Sequence, residues 1–158
     1  KYKNIWHHGD YCEKTINDGY IIYGRSDATL NAGGVRIGTS EIYRVVENID
    51  KIIECVAVEH NLYADTEVIL FVKLNSNNSL DYKLIKNIKL EIRTNLSPKH
   101  IPSKIFEVSD IPKTKSGKIV ELSIKNIING MEIENKNALA NPDCLKEYQS
   151  IYDLLKDN

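Results

Sequence analysis

IIECVAVEH at residues 52–60 and EVILFVKL at residues 67–74 are the two runs on which the fold turns. Both are rich in β-branched residues, both have strand length, and the polar stretch NLYADT separates them. The first alternates only in part and the second is almost continuously apolar, the pattern of a strand covered on both faces. Outward from this pair the period changes from two to 3.6. Upstream, Ile42, Val45, Val46 and Ile49 recur at i, i+3, i+4 and i+7 and predict a helix, with Thr39 or Ser40 as its N-cap, Glu41 at its positive end and Asn48 to Lys51 closing it. Downstream, the polar cluster NSNNSLD precedes a second stripe of Leu84, Ile85, Ile88, Ile92 and Leu96, which Pro98 stops. KIFEV at 104–108 predicts a third strand, and VELSIKNII at 120–128 a third helix ended by Asn129-Gly130. Near the start, Asn17-Asp18-Gly19 between CEKTI and YIIYG predicts a β-hairpin. The expectation is an α+β fold: a small, mainly three-stranded sheet with helices packed on it, preceded by a hairpin. Residues 131–158 read as a loose polar extension whose helical end offers Tyr148, Ile151, Tyr152 and Leu155 as a docking stripe.

With 158 residues the chain is long enough for a real core. Its 42% hydrophobic and 27% charged residues are those of a globular protein rather than a disordered tail. A formal net charge of −1 supplies no global field for nucleic acid or an anionic membrane surface, so any anion site must be local. Apolar runs fall far short of the roughly 20 residues that a membrane-spanning helix needs. Cys12, Cys55 and Cys144 are odd in number and widely spaced without a CxxC, which argues against a disulfide framework or a zinc site and for a reducing, cytoplasmic setting. The chain opens with Lys1 and holds a single Met at 131, the expectation being a piece of a larger protein.

Three segments can carry chemistry. Lys113-Thr114-Lys115-Ser116-Gly117-Lys118 is a basic turn. It is no Walker A loop, because Pro112 and Ile119 stand where that motif needs Gly and Ser or Thr. What remains is Lys118 just past a glycine bend, a point charge able to meet a phosphate or carboxylate. A solvated loop is the plain alternative. The stretch GRSDATLNAGGVRIG at 24–38 has no G-x-G-x-x-G, yet Arg25 and Arg36 flank glycines that let a ligand approach backbone closely. Lastly, in Trp6-His7-His8-Gly9-Asp10 the adjacent histidines of an extended segment point to opposite sides, so no metal site is expected. Asp10 is a loop carboxylate able to accept hydrogen bonds from a ribose diol.

Taken together, HHGDY, YGRSDATLN, GGVRIGTSEIY and IPKTKSGKIV resemble, in order, four motifs of the adenylate-forming family of acyl-CoA synthetases, peptide-synthetase adenylation domains and luciferases: T-G-D, G-R-x-D, G-x-R-[IL]-x-x-x-E-[IL] and P-[KR]-T-x-[ST]-G-K. The resemblance covers roughly residues 7–130. Within the family, Ser40-Glu41-Ile42-Tyr43 and the tail ALANPDCLKEY are most similar to the branch that activates acetoacetate; acetate-activating members usually have Ala-Glu-Ile-Glu at the first position.

The resemblance implies a two-step ligase: a carboxylate attacks ATP to give an acyl-adenylate and diphosphate, then the thiol of CoA displaces AMP. It implies Lys118 as the adenylation lysine, Asp10 on the adenylate ribose and Arg25 near ribose and phosphate. It further implies Asp27 as hinge, Arg36 on the α-phosphate or CoA, Gly34 along the pantetheine path and Arg93 against the CoA nucleotide. Residues 1–26 would end a large N-terminal adenylation domain, 27–130 would be its C-terminal lid and 131–158 an extension. ATP with Mg2+ would be bound mainly by the N-terminal domain, so this stretch alone is expected to be inactive, with its own N-terminal domain as partner. Another short-chain ligase acting on acetate or propionate is the runner-up. A noncatalytic α+β binding module using KTKSGK as a docking loop is the rival from another class.

Overall fold

The computed structural model describes residues 9–25, 29–32, 34–63, 65–133 and 136–156. At its centre lies a three-stranded sheet of β5 (Ile52–Asn61), β6 (Thr66–Leu74) and β7 (Lys104–Glu107), in the order β5-β6-β7. β5 and β6 are antiparallel, with Asn61 opposite Thr66 and Ile52 opposite Leu74. β7 lies parallel to β6, with Ile69 opposite Lys104. A parallel neighbour needs a crossover, and α2 (Tyr82–Asn95) lies in it. Asp81 caps that helix, its side chain accepting from Leu84 N at 2.7 Å.

The near-continuous apolar character of β6 has a direct cause: helices cover both faces of the sheet. Cys55, Ala57, Val68, Leu70 and Val72 face α1 (Thr39–Val46) and α2, where Ile42, Val46, Ile88 and Ile92 are buried. The alternate residues Val56, Val58, Ile69 and Phe71 face α3 (Glu121–Ile128) and α4 (Leu145–Lys156). Each such fully buried aliphatic or aromatic side chain contributes about 1.5–3 kcal/mol of transfer free energy.

The terminal segment docks through its expected stripe of Tyr148, Ile151, Tyr152 and Leu155, and only its looseness is overturned. Far from hanging loose, α4 completes the second layer: Tyr148 is fully buried, with Ile151 and Leu155 beside it. The Tyr148 ring lies 4.9 Å from that of Phe71, and its hydroxyl donates to Asp110 O at 3.0 Å. A strip that reads as polar buries one face because i, i+3 and i+7 carry Tyr148, Ile151 and Leu155.

Two small ladders precede the sheet. β1 (Asp10–Lys14) and β2 (Tyr20–Arg25) form the expected hairpin, turning through Asp18 at φ +57. β3 (Leu30–Ala32) and β4 (Val35–Ile37) pair antiparallel within the glycine-rich stretch, a ladder that sequence analysis does not predict. The first helix also starts differently. Thr39 lies within α1, Gly38 occupies the cap position, and no side chain caps the helix.

Candidate active site

The lysine turn is built on a narrow ladder. Lys113 bridges Ile119 antiparallel, and Thr114 N donates to Lys118 O at 2.8 Å. Thr114 Oγ1 accepts from Lys118 N at 3.1 Å, so one threonine fixes both backbone polar groups of Lys118. Gly117 N donates to Thr114 O at 2.9 Å, and Gly117 takes φ +83, a left-handed bend that glycine adopts without strain.

The lysines of this turn are not equivalent. The Lys113 ammonium is taken up by Glu54 of β5, at 2.7 Å from Oε2. Lys115 and Lys118 are exposed, and among the described residues the Lys118 ammonium has no hydrogen-bond or ionic partner. Lys118 differs from Lys115 in its pinned backbone. A held backbone with an uncommitted charge can deliver a cation to an anion that comes from outside.

Of the other expected site residues, Asp10 opens β1 rather than lying in a loop and is the register partner of Arg25 on β2. Gly34, at φ +77, makes the turn of the β3–β4 ladder, and Arg36 stands exposed on β4 opposite Asn31. Arg93 is exposed on the last turn of α2, away from the buried Leu84, Ile88 and Ile92. These residues occupy separate elements, and no described polar contact joins Lys118 to any of them. Asp27, like His7 and His8, lies outside the described residues. No three His, Cys, Asp or Glu side chains among the described residues are grouped so as to hold a metal ion, and no helix among them is long and apolar enough to cross a membrane.

Sequence reasoning missed a polar knot behind the turn. Glu121, heading α3, accepts from Thr39 Oγ1 at 3.2 Å and from Tyr43 Oη at 2.5 Å. Tyr43 Oη in turn accepts from Ala57 N at 3.2 Å. Burial first, then the neighbouring Glu121 charge, raises the Tyr43 phenol well above its ordinary value, so it stays a donor. Asn141 was missed as well; it accepts from Lys113 N at 2.9 Å. Its one local signal was the Asn-Pro pair at 141–142.

Known proteins bear on this arrangement. The model of the AMP-binding enzyme C-terminal domain matches residues 41–118, a span that opens in α1 and closes on Lys118. An acetoacetyl-coenzyme A synthetase of Rhizobium meliloti is 47% identical over 154 residues, covering 98% of this chain and 24% of that protein. The acetoacetyl-CoA synthetase of Gallus gallus is 43% identical over 156 residues, covering 98% of this chain and 23% of that protein. Among solved structures, the acetoacetyl-CoA synthetase from Streptomyces lividans superposes with a TM-score of 0.84 at 36% identity, over 94% of this chain and 22% of that one. The chain thus spans about a quarter of the length of these relatives. It belongs to the adenylate-forming, AMP-binding enzyme family and carries that family's C-terminal domain.

Proposed function

We propose that this chain is the C-terminal lid of an AMP-forming acid–thiol ligase that makes acetoacetyl-CoA, AMP and diphosphate from acetoacetate, ATP and CoA. The observation that carries the proposal is the pinned, uncommitted Lys118 at the end of the family-matched span. The acyl substrate rests on the names of the relatives that match nearly the whole chain.

Adenylation brings a carboxylate against a polyphosphate, two anions converging on one phosphorus. A cation held where that charge builds up lowers the barrier without binding the separate substrates equally well. Lys118 takes this role. Asp10 accepts hydrogen bonds from the ribose diol, and Arg25, its register partner, lies near ribose and phosphate. In the second half-reaction Gly34 lines the approach of the pantetheine arm, Arg36 pairs with the α-phosphate or CoA, and Arg93 faces the CoA nucleotide. Rotation at Asp27 exchanges Lys118 for the glycine turn at one centre. Residues 1–26 then close the large N-terminal domain, 27–130 form the lid and 131–158 extend it. Mg2+ enters with ATP on the N-terminal domain, which is this chain's partner, and the cytoplasm supplies the substrates.

The test is acid-dependent ATP–diphosphate exchange by the full-length protein, with acetoacetate compared against acetate, propionate and 3-hydroxybutyrate. Exchange selective for acetoacetate is expected. Preference for another acid removes the substrate, and no exchange with any acid removes the activity.

A further inference from the structure

The turn that carries Lys118 is held by a segment outside the family-matched residues. Leu139 bridges Thr114 antiparallel, and Ala140 N donates to Lys113 O at 2.8 Å. Asn141 then closes the contact with three hydrogen bonds. Its Oδ1 accepts from Lys113 N at 2.9 Å, and its Nδ2 donates to Ile111 O at 2.9 Å and to Asp110 Oδ2 at 2.5 Å. Both backbone polar groups of Lys113 are therefore satisfied by residues 140 and 141.

These bonds reach into the sheet. Asp110 Oδ1 accepts from Lys73 of β6 at 2.7 Å, so the chain of contacts runs Lys73, Asp110, Asn141, Lys113. Burial pushes the Asp110 carboxyl up, but the hydrogen bonds from Lys73 and Asn141 outweigh it and hold the group below the usual carboxylate range, ionised as an acceptor.

Lys118 itself is exposed, and among the described residues both its backbone polar groups are bonded to Thr114. The placement of its ammonium is thus no better than the placement of Thr114 and the adjoining Lys113. A pair of bridged segments is marginal by itself and gains persistence from a further bridged segment, which here is Leu139–Ala140.

From this geometry we infer that Asn141 is a positioning residue for the adenylation lysine: the extension bridges the lysine turn at Leu139, and Asn141 locks that bridge to the sheet so that Lys118 is presented at one height. This rests on Lys118 being the adenylation lysine. It assigns to the extension a part in the first half-reaction and none in the second.

The experiment uses the full-length protein and measures two half-reactions: acetoacetate-dependent ATP–diphosphate exchange, and thioester formation from supplied acetoacetyl-adenylate and CoA. Asn141→Leu removes all three hydrogen bonds. Ala140→Pro, at an exposed position, removes only the donor to Lys113 O and tests the brace if the first variant folds poorly. A misplacement of order 1 Å costs about 10²-fold, so exchange is expected to fall at least about tenfold in both variants while thioester formation stays within about twofold. Equal loss of both half-reactions in both variants means a merely structural role and overturns the inference. So does unchanged exchange in both variants while Lys118→Ala abolishes it. Exchange that survives Lys118→Ala overturns the assignment of the lysine, and the inference with it.

Discussion

Tyr43 donates its phenolic hydrogen to Glu121 across 78 positions of sequence, joining the helix that follows the glycine turn to the helix that follows the lysine turn. Gly34 lies nine positions before Tyr43, and Lys118 three before Glu121. The two segments assigned to the two half-reactions are therefore backed by part-buried hydrogen bonds from Tyr43 and Thr39 to Glu121. A lid that presents first one and then the other must turn as a body, and these bonds are part of what makes it one.

Tyr43→Phe removes the donor to Glu121 and the acceptor for Ala57 N. Glu121 keeps Thr39, but the buried Ala57 N loses this acceptor, and one such unsatisfied group costs about 1–3 kcal/mol. Urea denaturation is expected to show a lowered midpoint with an unchanged slope. Tyr43→Glu, the residue usual in acetate-activating members, sets a second carboxylate beside Glu121 and is expected to cost more than the phenylalanine variant. A midpoint equal to the parent's in Tyr43→Phe counts against the role.

Acid stability depends on Glu67. Its side chain is 13% exposed, and Oε1 accepts from Lys104 Nζ at 2.8 Å and from His60 Nδ1 at 2.9 Å. Burial pushes the carboxyl up, but these partners prevail and hold it at about 2 against an ordinary 4.5. Because the folded value is the lower one, the stabilisation is present above pH 4.5 and disappears as pH falls toward 2. With allowance for solvent screening it amounts to about 1–2 kcal/mol. Glu67→Gln is expected to flatten the fall of unfolding free energy between pH 5 and 2, measured by urea titration at each pH. An unaltered slope rules the pair out as a source of acid sensitivity.

The sheet and the long helix were legible because their signal is local and repeated. Leu84, Ile88 and Ile92 are buried at the positions the stripe predicts, and the 52–60 and 67–74 runs are strands. What could not be read depends on partners distant in sequence. Thr39 is a good cap by type, yet its hydroxyl goes to Glu121, 82 residues away, and Gly38 takes the cap position. The strands of β3 and β4 have three residues each, too short to show a period of two. The lysine turn stands out by its motif, whereas the hold of Asn141 on Lys113 spans 28 residues and leaves no periodic trace.

Lys118→Ala in the full-length protein is expected to lower ATP–diphosphate exchange by about 10²–10³-fold, the cost of removing one preorganised donor from a developing negative charge. Thioester formation from supplied acyl-adenylate should stay near the parent rate, since the proposed rotation then presents the other segment. Loss of both half-reactions in proportion contradicts the assignment.

Tyr148 provides the last test, because it asks whether the polar extension is part of the core. The ring is fully buried against Phe71, and its hydroxyl donates to Asp110 O, the residue whose carboxylate receives Asn141. Tyr148→Phe loses one hydrogen bond and is expected to cost about 0.5–1.5 kcal/mol. Tyr148→Ala opens a cavity behind β6 and is expected to cost about 3–5 kcal/mol, enough to unfold a marginal domain. Deleting residues 131–158 strips Leu145, Tyr148, Ile151 and Leu155 from α3 and β6, leaving Ile69, Phe71 and Ile124 with part of their cover gone. That variant is expected to aggregate or to lose its cooperative transition in calorimetry. A truncated chain that melts as sharply, and at the same temperature, as the parent shows the segment to be dispensable for the fold, and α4 is then an accessory rather than a wall of the core.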